Sequence, residues 1–253
     1  MKNDYSYGSY GQKKKRNVLS DLLLVLAILL FIGGVVLFLL DPIKNLIRKK
    51  TVEDMQESVR DMIVVGEETQ ITFVVDRDAL AVNGESYDYF GSDEDIIRMQ
   101  EQMAAEQENL PSSVVLNCIA LLDIEGEANI HVTVWDDATE VSLRYGAGHF
   151  RESVMPGEAG NCSILAHHMR VEYSMFNTLD RIQIGDPIRI VTVDGMEYIY
   201  ITDDIRIIPP AELYDNIRGD ITDTRQLTLV TCAYTSNGTE RLLVTAHLQD
   251  DQD

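Results

Sequence analysis

The segment LTLVTCAYTSNGTERLLVTA, residues 227–246, contains the strongest strand and turn signals of this chain, together with two reactive groups. Its β-branched and aliphatic runs predict two β-strands. The Asn237-Gly238 pair between them is a strong turn signal, so the strands are expected to form an antiparallel hairpin. Cys232 would then end the first strand and face Arg241 at the start of the second.

A thiol beside a guanidinium suits thioester chemistry. The thiolate can attack a peptide carbonyl, and the guanidinium, which stays protonated, can donate hydrogen bonds to the carbonyl oxygen as it gains negative charge. Proton transfer to and from the reacting amine requires an imidazole, and the candidates are His167 and its neighbour His168. A buried structural thiol is the alternative interpretation of Cys232, and Arg241 together with the upstream histidine argues against it.

At these residues the sequence resembles the sortases, cysteine transpeptidases that anchor proteins to Gram-positive cell walls or polymerise pilins. Residues 228–232, TLVTC, fit the TLxTC signature of the family, Arg241 falls where its arginine follows, and Ala166-His167 stands where its histidine does. The resemblance covers about residues 114–248 and is strongest to class C and class D sortases. Three more segments match sortase barrel segments in the expected order: Leu143–Phe150, Pro156–Asn161 and Met175–Asp186.

The resemblance implies a role for each site residue. Cys232 would attack the carbonyl between Thr and Gly of an LPxTG-like sorting signal, and Arg241 would hold the peptide and its developing oxyanion. His167 would protonate the leaving amine and then deprotonate the acceptor; it is preferred over His168 because the family's histidine follows a small residue. Residues expected near the substrate are Thr231, Ala166, Pro209 and Pro210.

The resemblance also implies the partners. These are surface proteins or pilins with sorting signals, and an amine acceptor from peptidoglycan or a pilin lysine. No metal or other cofactor is expected, although some sortases bind calcium and three acidic clusters, at residues 93–95, 136–137 and 203–204, leave that option open; none has EF-hand spacing. Two other functions remain as alternatives: a cysteine endopeptidase with water as acceptor, and a non-catalytic surface interaction protein.

An uninterrupted apolar run of 19 residues extends from Leu22 to Leu40. Because about 20 apolar residues suffice for a helix to cross the hydrocarbon layer, the run predicts a single transmembrane helix. It is longer than the apolar core of a cleaved signal peptide and lacks a small-residue cleavage site, so an uncleaved signal anchor is expected. Basic residues 13–16 favour a cytoplasmic N-terminus, with the catalytic domain outside the cell.

These signals divide the chain into a cytoplasmic tail (1–17), a transmembrane signal anchor (18–40), an extracellular stalk or small α/β extension (41–110) and a catalytic domain (111–253). The extension shows a helical stripe over 41–63, a strand at Ile71–Val75, a hairpin around Asn83-Gly84 and a helix beginning near Ser92. One hypothesis is that it packs on the catalytic domain and restricts access to Cys232; a plain stalk is the alternative.

The catalytic region is expected to be mainly β, a sortase-like closed β-barrel with short helices. Its predicted strands are short and regularly interrupted by turns. They are Val114–Asp123, His131–Trp135, Cys162–Ala166, Pro187–Val193, Met196–Ile207, Leu227–Thr231 and Arg241–Leu248. Brief helices are predicted at Ser174–Leu179 and Ala211–Ile217.

The charge of the chain excludes some partners. Of 21 Lys and Arg, 9 lie in residues 1–50, which hold 3 of the 42 Asp and Glu. The remainder therefore carries 12 basic and 39 acidic residues, a formal charge of −27. Such a surface argues against binding nucleic acid or an anionic membrane face, since both require basic residues.

Three cysteines form an odd set, which predicts at least one free thiol in an exported chain. Cys232 is the one with a motif around it. Cys118 and Cys162 lie in apolar, strand-like surroundings and are expected to be buried structural residues, with a disulfide between them as the less favoured alternative.

Overall fold

The structure, a computed structural model, describes residues 18–65, 70–77, 111–168, 175–219, 223–236 and 238–249. The chain divides into two compact units, Met1–Lys44 and Asn45–Asp253. The predicted hairpin around residues 83–84 and the predicted helix from residue 92 lie outside the described residues.

The first element is a long helix, α1 (Val18–Val65), which includes Pro42. It contains the helix predicted over residues 41–63. In the part of the chain that the structure describes, no helix is both long and apolar enough to cross a membrane.

Among the described residues, nine strands form one sheet. Their bounds are β1 (Ile71–Asp76), β2 (Ser113–Ile124), β3 (Ile130–Trp135), β4 (Ala147–His149), β5 (Gly160–Leu165), β6 (Pro187–Thr192), β7 (Glu197–Ile208), β8 (Arg225–Thr235) and β9 (Gly238–Leu248). The order is β1-β2-β3-β4-β5-β8-β9-β7-β6, and β6 also pairs with β2. Strands β2 to β9 therefore pair in a ring. The predicted mainly β fold with few short helices is confirmed.

The hairpin β8–β9 is longer than predicted. Its ladder continues past Cys232 through the pairs Ala233–Glu240 and Tyr234–Thr239, so Cys232 lies within β8 and not at its end. Strand β4 has three residues, too few for an alternating pattern, and was not predicted as a strand. A side chain at its Gly148 would collide with the backbone of residues 137–138, so only glycine allows this close approach.

The short helices lie close to their predicted positions, with one addition. In the predicted helix Ser174–Leu179, the described residues 175–178 form bends and turns, and a 3₁₀ turn follows at Leu179–Arg181. The predicted helix Ala211–Ile217 corresponds to a 3₁₀ turn at Pro210–Glu212 that leads into α3 (Leu213–Ile217). One further short helix, α2 (Ser142–Tyr145), precedes β4.

The largest apolar cluster draws on strands β2 to β9. Leu122, Ile164, Leu229 and Val244 are fully buried in it. Because neighbouring residues of a strand point to opposite faces, Leu227 and Leu229 enter this cluster while Thr228 between them faces the other side of the sheet.

A second cluster attaches the N-terminal extension to the sheet. Buried residues of α1 and β1 pack against those of β2 and β3; they include Met55, Val59, Ile71, Leu116, Leu121 and Trp135. Polar contacts add to this packing: Gln56 Nε2 donates to the His131 carbonyl at 2.9 Å, and Arg60 Nη2 donates to Asp123 Oδ1 at 3.0 Å. The described part of the extension from Asn45 onward thus belongs to the larger compact unit.

The contacts of this extension lie on β2, on β3 and on the short helix α2, whose Arg144 Nη1 donates to the Arg77 carbonyl. Whether any part of it restricts access to Cys232 stays a hypothesis, because residues 78–110 lie outside the described ranges.

A third cluster lies on the opposite face of β8 and β9. It unites Val230 and Leu243, which are register partners, with Leu165 of β5, Ile208 of β7, and Leu213 and Ile217 of α3. The helix α3 thereby covers one face of the hairpin next to Cys232.

Candidate active site

Cys232 lies where β8 leaves the core. Residues 227–231 are buried, whereas Cys232 and Ala233 are half-buried and Tyr234 is 60% exposed. Cys232 shares the strand face of Val230 and Tyr234. The Cys232 thiol therefore lies at the border between the buried part of β8, residues 227–231, and its exposed part at Tyr234.

Arg241 of β9 is the register partner of Cys232. Directly opposite residues of an antiparallel pair project to the same face, with Cβ atoms about 4.5–5.5 Å apart. The Arg241 side chain is fully buried, and its Nη1 donates to the Glu240 carbonyl at 3.1 Å. A cation held out of water beside a thiol favours the thiolate and exerts a stronger field than an exposed cation would. The predicted juxtaposition of these two residues is thus present.

The segment Ala166–His168 reaches the site because β5 runs parallel to β8, with Leu165 paired to Val230. The Ala166 N–H donates to the Val230 carbonyl at 3.1 Å, and Thr231 Oγ1 donates to the Ala166 carbonyl at 2.8 Å. Ala166 and Thr231 are both fully buried. They support the site from inside the sheet, and a contact of either residue with the substrate stays a prediction.

The two histidines differ in their surroundings. His168 Nδ1 lies 3.0 Å from the Cys232 carbonyl oxygen, and because a carbonyl can only accept, Nδ1 donates this hydrogen bond. His167 is half-buried, and its carbonyl accepts from the Phe176 N–H at 3.2 Å. The choice of His167 as the acid–base residue stays a prediction that this arrangement supports, since a His168 ring nitrogen is committed to the backbone.

Tyr234 was not among the predicted site residues, yet it contacts the histidine segment. Its ring stands edge-on to the His168 imidazole with centroids 5.4 Å apart, and its hydroxyl donates to the His168 carbonyl at 3.3 Å. The sequence could have indicated this residue, because side chains two positions apart on a strand lie on the same face, and Tyr234 is two positions after Cys232.

Pro209 and Pro210 directly follow Ile208, which is the register partner of Arg241 on the side away from Cys232. Pro209 is exposed and Pro210 is half-buried. The three strands β7, β9 and β8 therefore place Ile208, Arg241 and Cys232 in one row. This brings the predicted proline pair to the arginine side of the site.

Cys118 and Cys162 are buried, and within the described residues no disulfide joins any of the three cysteines. Burial raises the pKa of the Cys118 thiol to about 12, and a backbone hydrogen bond from Ala120 opposes part of this shift. Burial also raises the pKa of Cys162, with a smaller contribution from Glu158. Both thiols stay neutral near pH 7, as expected for structural residues, and the alternative of a disulfide between them is wrong.

The other polar groups have structural partners. His149 is buried and its pKa is lowered by burial; its Nε2 lies 2.9 Å from the Val154 carbonyl. Of the acidic clusters, Asp137 pairs with Arg151 at 3.1 Å and Asp203 with His247. Among the described residues no group of three or more His, Cys, Asp and Glu side chains could hold a metal ion.

A mainly β fold in which a half-buried cysteine faces a buried arginine, with a histidine segment alongside, defines a protein with a cysteine-based candidate active site. A family model described as Sortase domain matches residues 122–249 of the 253. The chain belongs to the sortase family, a family of cysteine transpeptidases.

Two curated relatives are named Sortase A. The one from Streptococcus agalactiae serotype III (strain NEM316) is 28% identical over 172 residues, which is 65% of this chain and 64% of the relative. The one from Listeria monocytogenes serovar 1/2a (strain ATCC BAA-679 / EGD-e) is 24% identical over 141 residues, 56% of this chain and 60% of the relative. The chain thus spans less than two thirds of the length of either relative.

Similar solved structures include a Clostridium perfringens Sortase D5 transpeptidase, at 30% identity, 60% coverage of this chain, 88% coverage of that chain and a TM-score of 0.46. Sortase C1 from Streptococcus agalactiae is 26% identical, with coverage of 53% of this chain and 68% of that chain and a TM-score of 0.47.

Proposed function

We propose that this protein is a membrane-anchored extracellular transpeptidase. It cleaves an LPxTG-like sorting signal through a thioester on Cys232 and transfers the acyl fragment to an amine. The observation that carries the proposal is the placement of Cys232 directly opposite the buried Arg241, in a chain of the sortase family. The proposal includes the predicted sortase-like barrel, which the ring of strand pairings supports.

In the first half-reaction the Cys232 thiolate attacks the carbonyl carbon of the signal threonine. The carbonyl oxygen becomes an oxyanion, and Arg241 donates hydrogen bonds to it. The protonated His167 gives its proton to the leaving glycine nitrogen as the C–N bond breaks. A thioester and a free amine result.

In the second half-reaction the acceptor amine attacks the thioester carbonyl. His167, now neutral, takes the proton of that amine, and Cys232 leaves as a thiolate. The row formed by Cys232, Arg241 and Ile208 suggests how the peptide lies, with its apolar residues over the cluster that α3 and β7 contribute and its proline end near Pro209-Pro210.

The proposed partners are surface proteins or pilins that carry such a signal. The proposed acceptor is an amine of peptidoglycan or a pilin lysine in a Gram-positive cell wall. The apolar run Leu22–Leu40 supports anchoring in the cell membrane, and large apolar side chains along it are exposed, Phe38 by 80%. Exposed apolar side chains in such number are unfavourable in water.

The anchoring and its orientation can be tested with a membrane-impermeant maleimide. Cys232 is the half-buried thiol, whereas Cys118 and Cys162 are buried. Intact Gram-positive cells that produce the full chain should therefore label at Cys232, and a Cys232→Ala variant should not label. Labelling only after lysis would contradict the extracellular orientation.

The activity can be tested with the full chain in detergent, a library of LPxTG-like peptides, and acceptors that present a glycine, a lysine or a diamino acid amine. Mass spectrometry of the products separates the functions. A ligated peptide indicates a transpeptidase, and hydrolysis alone in the presence of every acceptor indicates an endopeptidase. Absence of Cys232-dependent cleavage with all peptides would favour a surface interaction protein.

A further inference from the structure

The segment Ala166–His168 is hydrogen-bonded to three consecutive residues of β8, Val230 to Cys232. On its upstream side, the Ala166 peptide contacts Val230 and Thr231, at 3.1 and 2.8 Å. On its downstream side, His168 Nδ1 donates to the carbonyl of Cys232 at 3.0 Å. His167 lies between these two attachments, so its backbone is held with reference to the same strand that carries the nucleophile.

Tyr234 completes the downstream attachment. Its hydroxyl donates to the His168 carbonyl at 3.3 Å, while its ring packs edge-on against the His168 imidazole. The two residues thus exchange contacts: the His168 side chain binds the β8 backbone, and the Tyr234 side chain binds the His168 backbone. Tyr234 is 60% exposed, so an aromatic ring here does not serve the core.

We propose that His168 and Tyr234 are positioning residues that hold the His167 imidazole at its working distance from the Cys232 thiol. The inference rests on the proposed function, in which His167 transfers protons. It assigns no proton transfer to His168, because its Nδ1–H is bound to the carbonyl of Cys232 and not to the thiol. Reacting groups must be held within a fraction of an ångström, and a displacement of about 1 Å can cost roughly 10²-fold in rate.

The test compares two substitutions of His168 in the full chain. His168→Asn removes the titratable ring but keeps an N–H at the position of Nδ1, whereas His168→Leu removes the donor while filling similar space. Tyr234→Phe keeps the ring and removes the hydroxyl alone. We expect the Leu variant to lose roughly tenfold to 10²-fold in kcat with KM little changed, and the Asn variant to retain most of its kcat.

A second readout does not depend on a substrate. The rate at which iodoacetamide alkylates Cys232, measured against pH, reports on the thiol and the imidazole beside it. We expect the profile of the Leu variant to shift away from that of the unchanged protein, toward the profile of His167→Ala. The Asn variant should keep the original profile, and Tyr234→Phe should lie between.

Three outcomes would overturn the inference. Equal losses of kcat in the Asn and Leu variants would make His168 the proton carrier, and full activity with an unchanged profile in the Leu variant would show that His168 positions nothing. Activity losses that merely follow losses of thermal stability would reduce both residues to a structural role. Should His168→Leu not fold, the Tyr234→Phe variant, which changes an exposed residue, decides. An unchanged kcat and an unchanged alkylation profile in that variant would refute the positioning role. Failure of the proposed function looks different: the unchanged protein would cleave no peptide, while the alkylation profiles would still judge the positioning.

Discussion

Cys232 on β8 lies directly opposite Arg241 on β9, and the two differ in exposure: the thiol is half-buried and the guanidinium is fully buried. Burial of a cation is costly unless its charge is paired or hydrogen-bonded, and Arg241 Nη1 donates to the Glu240 carbonyl. Here the cation lies in the row that joins Cys232 to Ile208, where the oxygen of a bound acyl group would gain charge. The buried position of Arg241 favours a role in catalysis over the alternative of a surface cation in an acidic domain.

Cys232→Ala should abolish both peptide cleavage and the acyl-enzyme, because the nucleophile is lost. The matched control is Cys162→Ala, which removes a thiol that burial keeps neutral and should leave the chemistry intact. Intact mass spectrometry after incubation with a signal peptide detects the thioester. An acyl adduct on the Cys232→Ala protein would contradict the assignment.

Arg241→Lys should lower turnover by at least ~10²-fold, since the ammonium keeps the charge but loses the planar fork that can span substrate and oxyanion. Arg206→Lys, on the exposed side of β7, is the control for the same chemical change and should be neutral. Steady-state kinetics give the comparison, with thermal unfolding to show that the buried lysine is tolerated. Near-normal kinetics in Arg241→Lys would reduce Arg241 to a structural cation.

His167→Ala should lower kcat by ~10²–10⁴-fold, the usual contribution of a general acid–base group. His247→Ala is a suitable control, because His247 lies near the far end of β9 and pairs with Asp203. The same peptide assay measures both variants. If His167→Ala keeps its activity, another residue transfers the proton.

Asp123→Asn should destabilise the fold in a pH-dependent manner. Burial opposes ionisation of Asp123, but hydrogen bonds from His131 and Arg60 outweigh it, and the pKa of the carboxyl is lowered. A carboxyl with a lowered pKa stabilises the fold above its unfolded pKa of about 3.9, and this stabilisation is lost as the pH falls through the lower folded pKa. The variant should lose roughly 1–3 kcal/mol at pH 7.

This loss can be measured by urea unfolding between pH 3 and 7. The difference in unfolding free energy between the unchanged and Asp123→Asn proteins should begin to shrink below about pH 4, where the carboxyl of the unfolded chain becomes protonated. Asp180→Asn, at an exposed position, should show no such trend. A difference that stays constant with pH would show that the charge of Asp123 contributes nothing.

A chain that begins at residue 111 should fail to fold stably, whereas one that begins at residue 45 should melt cooperatively. The shorter chain lacks Met55, Val59 and Ile71, which are buried in one cluster with Trp135. Each such side chain contributes about 1.5–3 kcal/mol, and a whole domain is stable by only about 5–15 kcal/mol. Circular dichroism melting of both chains gives the answer, and equal melting temperatures would contradict the packing.

The pairing of Cys232 with Arg241 was predictable because a hairpin is local. Alternating strands and a short turn define the register with few alternatives. The exact extent of the strands was not predictable, since Ala233–Thr235 and Gly238–Glu240 have ordinary turn composition and join the ladder only through their backbone pairing.

The sequence by itself determined the mainly β class and the pairing of Cys232 with Arg241, because local strand patterns and a local hairpin decide both. It also contains the motifs that indicate the family, spread over residues 122–249. The tertiary structure alone decided which groups surround Cys232 and Arg241. The parallel pairing of β5 with β8 brings Ala166–His168 to residues more than 60 positions away in the chain. The hydrogen bond between Arg60 and Asp123 likewise joins residues 63 positions apart. Such contacts depend on the closure of the whole sheet, which local periodicity does not encode.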